Sequence, residues 1–183
     1  QHGLRRGFIL AVGTLEPRKN LPMLVRAYAR LREETAVSVP LILLGRKGWL
    51  FEEIFETIAS LGLEAHVRHL EGIFDEQLAH LYRAAGVLVT PSHYEGFGLP
   101  ALEAMHGGCP GMVSDRGSLP EVAGESGLSL PADDEAAWAA ALGRVLSDSD
   151  RRESMIEKGF VQAARFSWEN AARETLALYE NEK

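Results

Sequence analysis

Residues 87–110 read VLVTPSHYEGFGLPALEAMHGGCP, and this stretch decides the fold. Val87 to Thr90 is a short apolar run, long enough for one buried strand, and Pro91-Ser92 ends it. A loop carrying Glu95-Gly96-Phe97-Gly98 follows. The spacing then predicts a helix with Leu99, Leu102 and Met105 on one face and Gly107-Gly108 as its stop. A strand, a glycine turn and a helix N-terminus make an anion site, because free backbone N–H groups and the positive end of the helix dipole meet there. Two carboxylates flank the turn: Glu95 in the loop and Glu103 one turn into the helix.

Outward from this stretch, the same alternation repeats. Phe8 to Val12 reads as a first buried strand, followed by the loop Gly13-Thr14-Leu15-Glu16-Pro17-Arg18-Lys19-Asn20. Asn20 is the expected N-cap of a helix with Pro22 in its first turn and Leu21, Leu24, Val25, Tyr28 and Leu31 at helical spacing. Leu41 to Leu44 is a second strand ending at the basic turn Gly45-Arg46-Lys47-Gly48. A helix over about Leu50 to Leu61 turns Ile54, Phe55 and Ile58 inward, and Val67 to Leu70 is a further strand. Asp75 is the expected cap of a helix carrying Leu78, Leu81 and Tyr82. Gly111 to Ser114 and Gly127 to Leu130 complete the strands, separated by a short helix opened by Ser118-Leu119-Pro120-Glu121. From Asp133 onward the pattern is helical: Asp133 to Leu146, Arg151 to Phe166, and a last helix starting at Ser167-Trp168-Glu169.

Continuous apolar strands joined by helices imply a parallel sheet covered on both faces, a doubly wound, Rossmann-like α/β domain with a helical tail. Ligands of such a sheet bind beyond the carboxyl ends of its strands. The glycine loops at Gly13, Gly45, Gly72 and Gly96 all follow strands and should gather on that edge.

The chain has 183 residues, 46% apolar and 25% charged, which suits one globular domain with a sizeable core. Its net charge of −7 argues against a nucleic-acid partner, although a few local cations still suffice for a phosphate ligand. One cysteine, Cys109, excludes an internal disulfide and points to a reducing, cytoplasmic compartment. No run of about 18 apolar residues is present to span a membrane. Residues 1–7 hold no secretory core, and a chain opening on Gln1 reads as a piece excised from a longer protein. The histidines His93 and His106 have no partners at metal-ligand spacing.

The E-x7-E pattern around GFGLPALE, preceded by a strand ending in Pro-Ser, resembles the signature of the group 1 retaining glycosyltransferases of GT-B fold (glycosyltransferase family 4). The likeness is to their C-terminal, nucleotide-sugar-binding domain and runs from about Phe8 to about Tyr179; E-P-R-K-N, Gly117-Ser118-Leu119-Pro120-Glu121-Val122 and Phe166-Ser167-Trp168 add to it. The resemblance implies a donor site for a GDP- or UDP-linked sugar of mannose or glucose type, without a metal. It assigns Arg18 and Lys19 to the diphosphate, where Arg offers a planar fork and Lys a movable point charge. The family's Gly-Arg at the loop start is here Gly13-Thr14, so Arg18 has to substitute for the missing arginine. Gly13, Thr14, Gly96, Phe97, Gly98 and Leu99 would present backbone groups to phosphate and sugar. Glu103 would accept from the ribose diol, as an acceptor-only carboxylate suits. Glu95, the catalytic candidate, would lie by the donor sugar and stabilise an oxocarbenium-like centre. With Glu103 on the ribose, the two glutamates do not form a hydrolase pair. Ile73 and Asp75 would face the nucleobase, where Asp75 either accepts from a guanine edge or only caps its helix; this and E-P-R-K-N favour GDP over UDP.

The resemblance places the acceptor, a glycan or a lipid-linked one, and any peripheral membrane contact in an N-terminal domain of which these residues show nothing. A catalytically inert nucleotide-binding or interaction module is the alternative on this fold. A dehydrogenase fits less well, because the first loop lacks G-x-G-x-x-G. Trp49, Trp138 and Trp168 read as packing residues rather than sugar platforms, and Cys109 as buried and inert.

Overall fold

The computed structural model describes residues 3–181. Six strands, β1 (Ile9–Val12), β2 (Leu41–Leu44), β3 (Val67–Leu70), β4 (Val87–Thr90), β5 (Gly111–Ser114) and β6 (Leu128–Leu130), form one sheet in the order β3-β2-β1-β4-β5-β6. Every pairing is parallel. The order reverses between β1 and β4, so the loops leaving these two strands diverge and open a crevice at their carboxyl ends.

Side-chain alternation along each strand divides the core in two. Ile9, Ala11, Leu41, Leu43, Val87 and Val89 face α1 (Leu21–Glu34), α2 (Glu52–Ser60) and α6 (Glu135–Ser147), packing on Tyr28, Leu31, Ile54, Trp138 and Leu142. Phe8, Leu10, Ile42, Leu44, Leu88 and Val113 face the opposite layer of α3 (Asp75–Ala84), α4 (Leu99–His106) and α5 (Leu119–Ala123), joined by Ala163 of α7 (Ser149–Ala163). Apolar side chains on both faces explain why the strands lack polar alternation.

The last helix, α8 (Trp168–Asn181), follows Ser167, where the sequence starts it, and the Ser167 hydroxyl accepts the Asn170 amide at 3.0 Å. Its Trp168, Leu176, Leu178 and Tyr179 are exposed.

Four expectations are corrected. Asn20 does not cap α1 with its side chain; it sits in the left-handed region, φ 54°, and its Nδ2 donates to the Pro91 and Ala132 carbonyls instead. Asp75 is the first helical residue of α3, not its cap: the cap is Phe74, whose amide donates to Gln77 Oε1. In α4 the buried residues are Ala101, Ala104 and Met105, because small side chains let the helix sit close on the sheet; Leu99 is exposed and Leu102 only half-buried. Trp138 is a core residue with its indole donating to the Pro131 carbonyl, but Trp49 and Trp168 are exposed rather than packed in the core.

Candidate functional site

The glycine loops do gather at the carboxyl edge, and the two that flank the reversal meet there. A 3-10 turn, Pro17–Lys19, follows β1 and swings Arg18 and Lys19 toward the loop after β4. Lys19 Nζ donates to Glu95 Oε1 at 2.6 Å, and Arg18 Nη1 donates to Glu95 Oε2 at 2.8 Å. Ser92 Oγ donates to Glu95 Oε1 at 2.8 Å. Arg18 is further braced by Glu16, whose Oε1 accepts from both Nε and Nη2, and by the Tyr94 carbonyl.

Glu95 is 8% exposed and Lys19 9%, so this is a buried ion pair with a half-exposed arginine as its outer member. Burial by itself would push the Glu95 carboxyl up. Hydrogen bonds from Lys19 and Ser92, with the charge of Lys19 and the Arg18 contact, outweigh it and hold the group below its ordinary value. Arg18 is likewise lowered by burial but raised on balance by Glu95 and Glu16.

The backbone is shaped around this cluster. At Gly13, φ is 141° and an added Cβ would stand 2.8 Å from Lys19 Cε, so glycine is required where the lysine stem passes. A Cβ at Gly117, φ 58°, would stand 2.8 Å from the Glu95 carbonyl, and Ser118 Oγ donates to that same carbonyl. The β5–α5 loop thus seats the Glu95 main chain while the β1 loop holds its side chain. Gly98 takes φ 92° as the residue before α4, whereas Gly96 needs no glycine: its φ is ordinary and open space surrounds it. Gly13, Lys19, Thr90, Pro91 and Ser92 line a narrow cleft beside the cluster, and the buried Thr90 Oγ1 has no hydrogen-bond partner among the described residues.

Glu103 is exposed on α4, and its Oε2 accepts the Tyr82 hydroxyl at 2.8 Å. Phe97 and Leu99 are exposed at the mouth of the same loop, Phe97 edge-on to Phe166. Thr14 is half-buried beside Gly48, where a Cβ would stand 2.7 Å from its methyl. Ile73 and Asp75 do not join the cluster: they line a separate open groove along α3 with Phe74, His80 and Leu81. Lys47 is held over the rings of Phe51 and Phe55. Cys109 is buried, which pushes its thiol up to about 12. Among the described residues no group of three or more His, Cys, Asp or Glu could hold a metal ion, and no helix is long and apolar enough to cross a membrane.

Sequence reasoning missed Glu16, Ser92 and Tyr82. Glu16 and Ser92 lie within three residues of a charged site residue, a signal that was available; Tyr82 is 21 positions from Glu103 and carried no such signal.

The family model for glycosyl transferases group 1 matches residues 2–162. The O-antigen chain mannosyltransferase B of Escherichia coli is 42% identical over 174 residues, covering 95% of this chain and 46% of that protein. Among solved structures, the sucrose-phosphate synthase of Thermosynechococcus elongatus is 32% identical with a TM-score of 0.85, over 96% of this chain and 45% of that one. Anabaena Alr3699/HepE, solved in complex with UDP and glucose, shares the fold at 20% identity and a TM-score of 0.83, over 97% of this chain and 49% of that one. The chain spans less than half the length of the curated relatives it matches.

Proposed function

Since this chain belongs to the group 1 glycosyl transferases, on the Rossmann-like fold of the GT-B enzymes, we propose that it binds the sugar donor of a retaining, metal-independent hexosyl transfer in the cytoplasm. The donor is a GDP- or UDP-linked sugar of mannose or glucose type, and the acceptor, a glycan or a lipid-linked one, is held by a further domain. The observation that carries this reading is the joining of Lys19, Arg18 and Glu95 at the crevice between β1 and β4. A mannosyltransferase relative and a fold-mate that holds UDP and glucose support the same class of ligand.

The chemistry follows from charge. Lys19 and Arg18 neutralise the donor diphosphate and favour its departure, because positive groups in a site of low dielectric stabilise the charge that develops on the leaving group. Both cations are engaged by Glu95. A diphosphate arriving at the crevice therefore competes with an internal carboxylate, and as the cations turn to phosphate the Glu95 oxygens become available to the sugar. There a carboxylate held ionised stabilises the positive charge that grows at the anomeric carbon. Gly13, Thr14, Gly96, Phe97, Gly98 and Leu99 supply backbone groups, and Glu103 accepts from the ribose diol. Ile73 and Asp75 reach the base only if it extends toward α3.

A thermal-shift and calorimetry panel with GDP, UDP, ADP and NAD tests the assignment. GDP or UDP at 100 times its Kd should add about 2.7 kcal/mol of stability. Stabilisation by NAD alone would point to a dehydrogenase, and no response to any nucleotide to an interaction module.

A further inference from the structure

Tyr82 belongs to the α3 layer and was legible in the sequence only as a core-facing residue. Tyr82 is 3% exposed, and its hydroxyl donates to Glu103 Oε2 at 2.8 Å. One point on α4 and one just past its end meet this tyrosine. A Cβ at Gly107 would stand 2.8 Å from Tyr82 Cβ, so the end of the helix rests on the tyrosine stem; one turn earlier, Glu103 takes the hydroxyl. The Gly107 amide also donates to the Glu103 carbonyl, which ties the two contact points together. An ionised carboxylate only accepts, so the tyrosine must be the donor, and the bond engages one of the two carboxylate oxygens. Glu103 Oε1 has no partner among the described residues. Burial, with the Glu103 charge behind it, pushes the Tyr82 hydroxyl far up, so it stays a protonated donor at physiological pH.

We infer that Tyr82 is a positioning residue of the nucleotide site: it clamps Glu103 by one oxygen so that the other is presented, already ordered, to the vicinal diol of the ribose. The inference rests on the reading of Glu103 as the ribose acceptor. An exposed glutamate without this clamp would sample many rotamers, and ligand binding would have to order it. The buried ring has a fixed place under α4, whereas the carboxylate by itself does not. Substrate discrimination toward an intact ribose is therefore built partly into a residue that touches no ligand.

The test uses Tyr82→Phe, Glu103→Ala and the double variant, titrated with whichever of GDP and UDP the unaltered chain binds better and with its 2′,3′-dideoxy analogue. Phenylalanine keeps the buried ring, and a melting curve for each variant checks the fold. Tyr82→Phe should weaken the ribose ligand about three- to tenfold and the dideoxy ligand less than about twofold, as for loss of one hydrogen bond that orders an acceptor. In the Glu103→Ala background Tyr82→Phe should have no further selective effect, because the clamp has nothing left to hold. If Glu103→Ala weakens only the ribose ligand while Tyr82→Phe leaves both unchanged or weakens both equally, the positioning role is overturned and the reading of Glu103 stands. If Glu103→Ala does not distinguish the two ligands, or neither diphosphate binds the unaltered chain, that reading falls and the inference with it.

Discussion

Lys19 Nζ lies 2.6 Å from Glu95 Oε1, although the two residues are 76 positions apart in the chain. The contact crosses the point where the strand order reverses and joins the β1 loop to the β4 loop. It makes the cation proposed for phosphate and the carboxylate proposed for the sugar one electrostatic unit, so a change in either alters the other.

Lys19→Ala should weaken nucleoside-diphosphate binding more than nucleoside binding, by roughly 1.5–3 kcal/mol, because a charge-assisted contact to phosphate is lost. Calorimetry with GDP or UDP against the matching nucleoside measures it. Equal losses for the two ligands would move the phosphate site elsewhere. The variant should also melt lower than the parent, since Glu95 remains buried without its closest partner.

Glu95→Gln should leave GDP or UDP binding intact or tighter, because Lys19 and Arg18 no longer have to leave a carboxylate. The same change should abolish most turnover in the full-length enzyme, where the charge is needed at the sugar. Loss of bare nucleotide binding in Glu95→Gln, with binding kept in Glu103→Ala, would exchange the roles assigned to the two glutamates.

Acid should act through Glu95. Its folded pKa is depressed, so the unfolded chain takes up the proton first as pH falls. The stability this group contributes is complete above its unfolded pKa and is lost as pH falls through the folded value. Urea midpoints measured from about pH 5 down to about pH 3 should fall more steeply for the parent than for Glu95→Gln. Parallel profiles would mean that the group titrates as an ordinary exposed glutamate.

Two glycines of the site should respond oppositely to alanine. Gly13→Ala puts a methyl against the Lys19 stem at a positive φ and should cost at least about 1–3 kcal/mol of stability, as strained backbone does. Gly96→Ala meets open space at an ordinary φ and should stay within about 0.5 kcal/mol of the parent. Denaturant unfolding of both variants decides it; similar losses would mean that the loop, not the lysine stem, demands glycine.

This chain alone should not transfer sugar. Transfer needs both substrates held in register, which contributes about 7–11 kcal/mol of the rate enhancement, and the proposed donor already takes up the one sheet edge that carries the glycine loops. Transfer to an added acceptor by this chain, lost in Glu95→Gln, would overturn the division of labour.

Local sequence was sufficient wherever the deciding interaction is itself local. The six strands, the doubly wound class and the carboxyl edge as the place of the glycine loops follow from continuous apolar runs and turn residues. These features depend on backbone sterics and burial over a few neighbours, so each stretch carries its own answer. The start of α8 at Ser167 was legible for the same reason, since its capping donor and acceptor lie three residues apart.

Where the outcome depends on what packs against a residue, only the tertiary structure decided. Asn20 has the composition of an N-cap, but the neighbouring Pro91 and Ala132 carbonyls give its amide other acceptors. Leu99 and Leu102 have the spacing of a buried face, yet α4 approaches the sheet through its alanines and leaves Leu99 exposed. The sequence, through its resemblance to the family, named Lys19, Arg18, Glu95 and Glu103 one by one. It could not show that Glu95 engages both cations or that Tyr82 holds Glu103, because those contacts exist only once parallel strands from distant parts of the chain bring their loops and helices together.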